Sequence, residues 1–228
     1  MQDLTQGKPI KVIVLFTIPL IIGSFFQLAY NFADAMIVGH TLGQTAFASI
    51  GATGSLTFLI IGFAQGLTGG FSIIVAQRFG AKDYAGLKRS CVHGLFYTIV
   101  VSLVLSILAL LFLRQLLQFM QTPDSLIKFC ERFLSSIFGG AVLTVLFNYL
   151  SNILRAVGDS TTPLIALVLA CLINIGLDFL YILTLNMGVF GAGVATVEAQ
   201  LFSVIFLLIY IRKKVPYFHL KRSDYKLS

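Results

Sequence analysis

Two carboxylates stand where apolar surroundings make them costly: Asp34 in YNFADAMIVGH and Asp178 in CLINIGLDFLYI. Each lies inside a long apolar run with no Lys or Arg close to it in sequence. An ionised carboxylate at bilayer depth is expensive, so an acid held there binds a proton, binds a cation, or is hidden in a helix contact. The first two options are the chemistry of ion-coupled transport; the third is purely structural.

The neighbours of these acids are polar at helical spacing. Asn174 and Asp178 are four positions apart, so they share a helix face and offer an amide oxygen beside a carboxylate. Gln27, Tyr30, Asn31 and Asp34 recur at three- and four-residue steps on an otherwise apolar rod. Thr196, Gln200 and Ser203 repeat the pattern, as do Asn148, Asn152 and Arg155 with Ser151 beside them. Singly, such residues serve interhelical hydrogen bonds. Four stripes in one bundle point to a shared wet cavity, expected to hold substrate against Gln27, Tyr30, Asn31, Asn148, Asn152 and Gln200.

The elements that must position them are membrane helices. The chain is 57% hydrophobic and 11% charged, and its mean hydropathy of +0.94 lies outside the soluble range. Six apolar runs reach the roughly 20 residues of a crossing. They are Val12 to Val38, Phe47 to Val75, Val92 to Leu113, Phe133 to Leu154, Pro163 to Leu185, and Phe190 to Ile211. The first continues to His40, past the core of a cleavable signal, and reads as a span. The fold class expected is an all-α membrane bundle: a six-helix lobe over 1–212 and a basic cytoplasmic linker or tail over 213–228.

A net charge of +7 invites a nucleic-acid reading, but the basic residues sit between apolar runs, so no nucleic-acid partner is needed. Thirteen of the sixteen fall on one side: Lys8, Lys11, Arg78, Lys82, Lys88, Arg89, Arg155, Arg212, Lys213, Lys214, Lys221, Arg222 and Lys226. Arg114, Lys128 and Arg132 are the exceptions. The bias places both termini in the cytoplasm. On that frame Asp34 lies about 33 Å along its helix from the inner face and Asp178 about 22 Å, both in the outer half of the membrane. Glu198 lies about 12 Å below the outer face on a descending helix. Cys91, Cys130 and Cys171 form no CxxC and have no His at ligand spacing, so neither a disulfide framework nor a zinc site is expected, and no cofactor.

Glycine and proline shape the scaffold. Gly62, Gly66 and Gly70 repeat every four residues, a ridge expected to pack within the lobe. Pro19 lies inside the first span and permits a bend there, with a static kink as the alternative. The segment RAVGDSTTP is a tight connection with Asp159, Ser160 or Thr161 as cap and Pro163 in the next helix's first turn.

Pro19 with NFADAMIVGHTLG, then GLTGGFSIIVAQRFGAKD, LRAVGDSTTP, NIGLDF and GVFGAGVATVEAQ, in this order, resemble the amino-terminal lobe of the multidrug and toxic compound extrusion (MATE) family. The resemblance implies export of cationic or amphipathic small molecules in exchange for Na⁺ or H⁺, and two six-helix lobes that alternate access between them. It also implies an ion-coupling site at Asp34, Asn174, Asp178 and Thr196. The family carries twelve spans and this sequence shows one set of motifs, as expected of a fragment, a truncated product, or a half-transporter pairing with a second lobe. Glu198 departs from the pattern: two positions from Thr196, it points about 200° away on a helix. It faces a lobe interface or adds a titratable group.

The alternatives are a lipid-linked oligosaccharide flippase, which should show a more cationic cavity, and an accessory membrane subunit without transport. An intramembrane enzyme is disfavoured: neither HExxH nor GxSxG occurs, and His40, His93 and His219 are scattered.

Overall fold

The computed structural model describes residues 9–215. Among them the elements are α1 (Pro9–Leu42), α2 (Gln44–Gly80), α3 (Tyr84–Leu111), a short α4 (Leu113–Phe119), α5 (Asp124–Gly139), α6 (Ala141–Ala156), α7 (Thr161–Asp178), a π-helical turn (Phe179–Thr184) and α8 (Val189–Lys214). Five elements are long and apolar enough to cross a membrane singly, and α5 with α6, bent by 48°, makes a sixth when the pair is counted as one span. The all-helical membrane lobe expected from hydropathy is therefore present, with five to six spans, and the chain is a multi-pass membrane protein. Lys8, His219, Lys221, Arg222, Lys226 and most of the expected tail lie outside the described residues.

The fourth expected span, Phe133 to Leu154, is not one rod. It breaks at Gly140 and extends back to Asp124. The cause is packing: Val197 of α8 presses so close that a Cβ on Gly140 would meet the Val197 Cβ at 2.8 Å. Gly193 does the same one turn away. A Cβ there would meet the Ser136 Cβ at 2.9 Å and the Phe133 carbonyl oxygen at 3.1 Å. Small residues let α8 lie against the α5–α6 bend backbone to backbone.

The glycine ridge of α2 behaves otherwise. Nothing lies within 4 Å of where a Cβ would stand on Gly66 or Gly70, and Gly62 meets only its own helix's Phe58. The expectation that this ridge packs within the lobe is overturned. The packed face of α2 is the one carrying Ser49, Thr53, Leu56, Ala64, Thr68 and Val75. The ridge points outward between Phe58, Leu59 and Phe63, which are all exposed.

Two apolar clusters hold the two ends of the bundle. One joins Val38, Ala46, Leu117, Leu134, Phe138 and Ile182; the other joins Val75, Leu87, Leu150, Leu154, Val157 and Leu207. Hydrogen bonds cross between helices beside them. The Tyr149 hydroxyl donates to the Cys91 carbonyl at 2.6 Å, Ser203 Oγ to the Ala166 carbonyl at 3.1 Å, and Ser106 Oγ to the Phe138 carbonyl. Each contributes about 0.6–2 kcal/mol where lipid offers no competing donor. Only 6% of the most apolar stretch of α1 is buried, so it lies on the edge of the lobe, mainly against α7 and α2. It runs unbroken through Pro19.

Connections are capped as their residues dictate. Asp159, buried, accepts from the Thr162 N–H at 3.0 Å and the Thr162 hydroxyl at 2.7 Å, with Pro163 in the first turn of α7. At α3, exposed Asp83 accepts from the Gly86 N–H at 2.9 Å and pairs with Arg78 at 2.9 Å. The Gly86 N–H, helped by the Arg78 guanidinium, holds the Asp83 carboxyl below the usual carboxylate range. A depressed folded-state value adds stability that is present above that range and lost as the pH falls through the folded value. Asn caps without a charge, so Asp83→Asn should keep the turn and remove this pH dependence. Protection of the Gly86 amide in hydrogen exchange, corrected for intrinsic rate, measures it.

Candidate ion-coupling site

The site is built where α1, α7 and α8 meet. Tyr30 and Asp34 are one turn apart on α1, Asn174 and Asp178 one turn apart on α7, and Thr196 faces them from α8. The Tyr30 hydroxyl donates to Thr196 Oγ1 at 3.2 Å, and that oxygen donates in turn to the Ala192 carbonyl at 3.1 Å. With its amide set by its neighbours, Asn174 donates from nitrogen to Asp178 Oδ2 at 3.0 Å and accepts the Thr196 N–H on oxygen at 3.1 Å. Asp34 and Asp178 stand beside each other where α1 packs on α7, close enough for each to feel the other's charge.

Burial makes this arrangement chemically demanding. Asp178 and Asn174 are 0% exposed and Asp34 is 8% exposed. Asp34 Oδ1 and Asp178 Oδ1 are buried with no hydrogen-bond donor among the described residues. The ion pairs among those residues are Arg78–Asp83 and Arg114–Glu131, neither at this site. Two buried carboxyls side by side can share a proton, which removes one of their charges. For unit charges in contact, taken at about 4 Å and an effective dielectric constant near 20, the repulsion of two ionised groups is on the order of 4 kcal/mol. Acids placed this way are able to share one positive charge. A proton supplies that, and so does a hard cation, for which carboxylate, amide and hydroxyl oxygens are suitable ligands.

The structure thus brings Asp34, Asn174, Asp178 and Thr196 together and adds Tyr30, which the helical spacing had grouped with a substrate cavity. It splits the stripe on α1: Tyr30 and Asp34 turn inward, while Gln27 and Asn31 stay exposed on the open face. Asn148 and Asn152 are elsewhere. The Asn148 amide donates to the Thr144 carbonyl of its own helix at 2.8 Å, and Asn152 accepts from Arg155 at 3.3 Å. Their helix packs on α2, α3 and α8 rather than on α1. A single cavity drawing on all four stripes is therefore not what the packing forms. Gln200 is half-buried with Oε1 unpartnered among the described residues.

Glu198 finds a partner that spacing did not show. It turns away from Thr196 and accepts the Tyr181 hydroxyl at 2.5 Å. Tyr181 sits in the π-helical turn that directly follows Asp178, its carbonyl accepting the Met187 N–H at 2.9 Å. Such turns recur at functional sites, but no hydropathy signal marks one.

Comparison with known proteins accords with this architecture. Residues 19–180 match the MatE family model. The chain is 31% identical to the probable multidrug resistance protein YpnP of Bacillus subtilis (strain 168), covering 94% of this chain and 49% of that protein. It superposes on a MATE crystal structure in a bent conformation with a TM-score of 0.89 at 31% identity, over 97% of this chain and 50% of that one. A straight conformation gives 0.88 at 30% identity, over 99% and 50%. The chain spans about half the length of the relatives it matches. It belongs to the MatE family, whose members are multidrug efflux transporters rather than enzymes.

Proposed function

We propose that this lobe couples the uptake of Na⁺ or H⁺ at Asp34 and Asp178 to the export of cationic or amphipathic small molecules across a prokaryotic cytoplasmic membrane. The observation that carries this reading is two buried carboxyls side by side with no cationic side chain paired to them among the described residues. Binding a proton or Na⁺ draws Asp34 of α1 toward Asp178 of α7. Losing it restores a repulsion of about 4 kcal/mol, roughly a thousandfold bias against the closed contact. The helix free to respond is α1, because most of its surface has no partner within the lobe. Tyr30 and Asn174 tie α1 and α7 to Thr196, so the strain is delivered to α8 as well. A substrate cation competes for the same negative charge. That the buried acids have no basic counterpart among the described residues favours this reading over a flippase for phosphate-linked lipids.

A second lobe completes the path, since alternating access needs two bundles around one site. The open face of α1, with Gln27 and Asn31, is the surface it would meet. Proteoliposomes of the chain with its partner lobe, or at densities that allow pairing, should expel a fluorescent organic cation when an inward Na⁺ or H⁺ gradient is imposed. Efflux indifferent to both gradients would end the proposal.

The same reading fixes orientation. Lys11, Arg78, Lys82, Lys88, Arg89, Arg155, Arg212, Lys213 and Lys214 all fall at one end of the bundle, the cytoplasmic one by the charge bias. Cysteines placed at 186–188 should react with an impermeant maleimide from outside the cell, and cysteines at 81–83 only after permeabilisation. The reverse pattern would refute it.

A further inference from the structure

We propose that the outer end of this lobe holds an anionic phospholipid by its headgroup, in the groove between α4 and α5. This rests on the orientation proposed above and not on ion coupling. The groove encloses about 340 Å³ and is lined by Leu110 and Leu111 at the end of α3, Arg114 of α4, and Glu131, Arg132 and Ser135 of α5. Its position follows from length: the 28 residues of α3 rise about 42 Å from Tyr84, so Leu110 and Leu111 stand at the face opposite Lys82 and Lys88. Arg114 and Arg132, with Lys128 one turn before Arg132, are the three basic residues that break the charge bias of the whole chain. Two of these exceptions, from different helices, meet in one groove.

The lining is amphipathic in the sense a lipid is. Leu111 is 67% exposed and the adjoining Phe112 is also exposed, an apolar wall for an acyl chain. The guanidiniums form the polar end. Arg114 is 72% exposed and only 3.8 Å from Glu131, a long pairing that leaves most of its donors free. No carboxylate among the described residues pairs with Arg132. Two guanidiniums fit a phosphodiester, whose oxygens accept in the bidentate geometry Arg offers. Glu131 adds selectivity: a carboxylate beside the phosphate favours headgroups that carry hydroxyl donors. Phosphatidylglycerol has both features, whereas the choline group of phosphatidylcholine offers no donor.

Each basic residue near a membrane surface is worth roughly fivefold in affinity for an anionic lipid, so the pair should give a preference of about tenfold or more. The test is native mass spectrometry of the delipidated chain in detergent, titrated with phosphatidylglycerol, phosphatidylcholine, and inorganic phosphate as the free-anion probe. Phosphatidylglycerol is expected to remain bound at least about tenfold more than phosphatidylcholine. Arg114→Gln with Arg132→Gln should erase that difference, whereas Lys88→Gln at the other end should preserve it. Equal retention of the two lipids by the wild-type chain overturns the proposal whether or not the variants fold. So does a preference that survives the double substitution, or binding of inorganic phosphate as tight as that of the lipid.

Discussion

Asp178→Asn is expected to abolish cation-driven efflux, by a hundredfold or more, with insertion and helix content unchanged. The substitution is nearly isosteric and keeps an oxygen for the Asn174 amide, so the α7–α8 contact persists. What it removes is the charge that Asp34 and a proton or cation share with it. Asp34→Asn should do the same from the other side. Because the two carboxyls act as one unit, the double variant should be no worse than either single one. Transport parameters settle it: ordinary gradient-driven efflux in both single variants would mean that the pair is a structural contact. Tyr30→Phe, which removes one bond to Thr196 and no charge, should be milder, with altered ion affinity and retained maximal rate.

The largest effect on stability is expected at a glycine. Gly193→Ala places a methyl group against Ser136 and the Phe133 carbonyl oxygen, and Gly140→Ala against Val197. Overpacking of this kind costs about 1–3 kcal/mol. Here it pushes α8 off the α5–α6 bend. Gly66→Ala is the contrast. With open space where its Cβ would go, it should be neutral or add up to about 1 kcal/mol through helix propensity. Thermal unfolding in detergent, read as apparent midpoints under one scan rate, should order the chains Gly66→Ala at or above wild type, and Gly193→Ala and Gly140→Ala well below. A fall for Gly66→Ala equal to that for Gly193→Ala would contradict the assignment of packed and open faces.

These two predictions mark what was legible in the residues. Hydropathy was enough for the all-helical membrane lobe, because a bilayer forces apolar runs of fixed length. Counting rise per residue placed Asp34 and Asp178 toward one end of the bundle, and the structure sets them beside each other where α1 meets α7. The bend at Gly140 was not legible, since hydropathy is blind to backbone direction and the cause lies in Val197, distant in sequence. The glycine ridge of α2 misled for a related reason: small residues permit close approach without saying which neighbour arrives. On α1, periodicity marked a polar stripe but could not resolve adjacent faces, so Tyr30 was grouped with Gln27 and Asn31 although it bonds Thr196. Asn148 and Asn152 looked like cavity residues, yet Asn148 is satisfied by its own helix and Asn152 by Arg155. The partner of Glu198 is Tyr181, which lies in the π-helical turn that helical spacing does not register.

The central claim is that Asp34 and Asp178 together hold one positive charge. Isothermal titration of the purified chain with Na⁺ at high pH, together with proton uptake measured by pH jump in weakly buffered detergent solution, addresses it without any transport assay. One ion or one proton per chain is expected to bind saturably in competition with the other, and both signals should vanish in Asp34→Asn and in Asp178→Asn. A chain that binds neither, or whose uptake is untouched by both substitutions, would contradict the account.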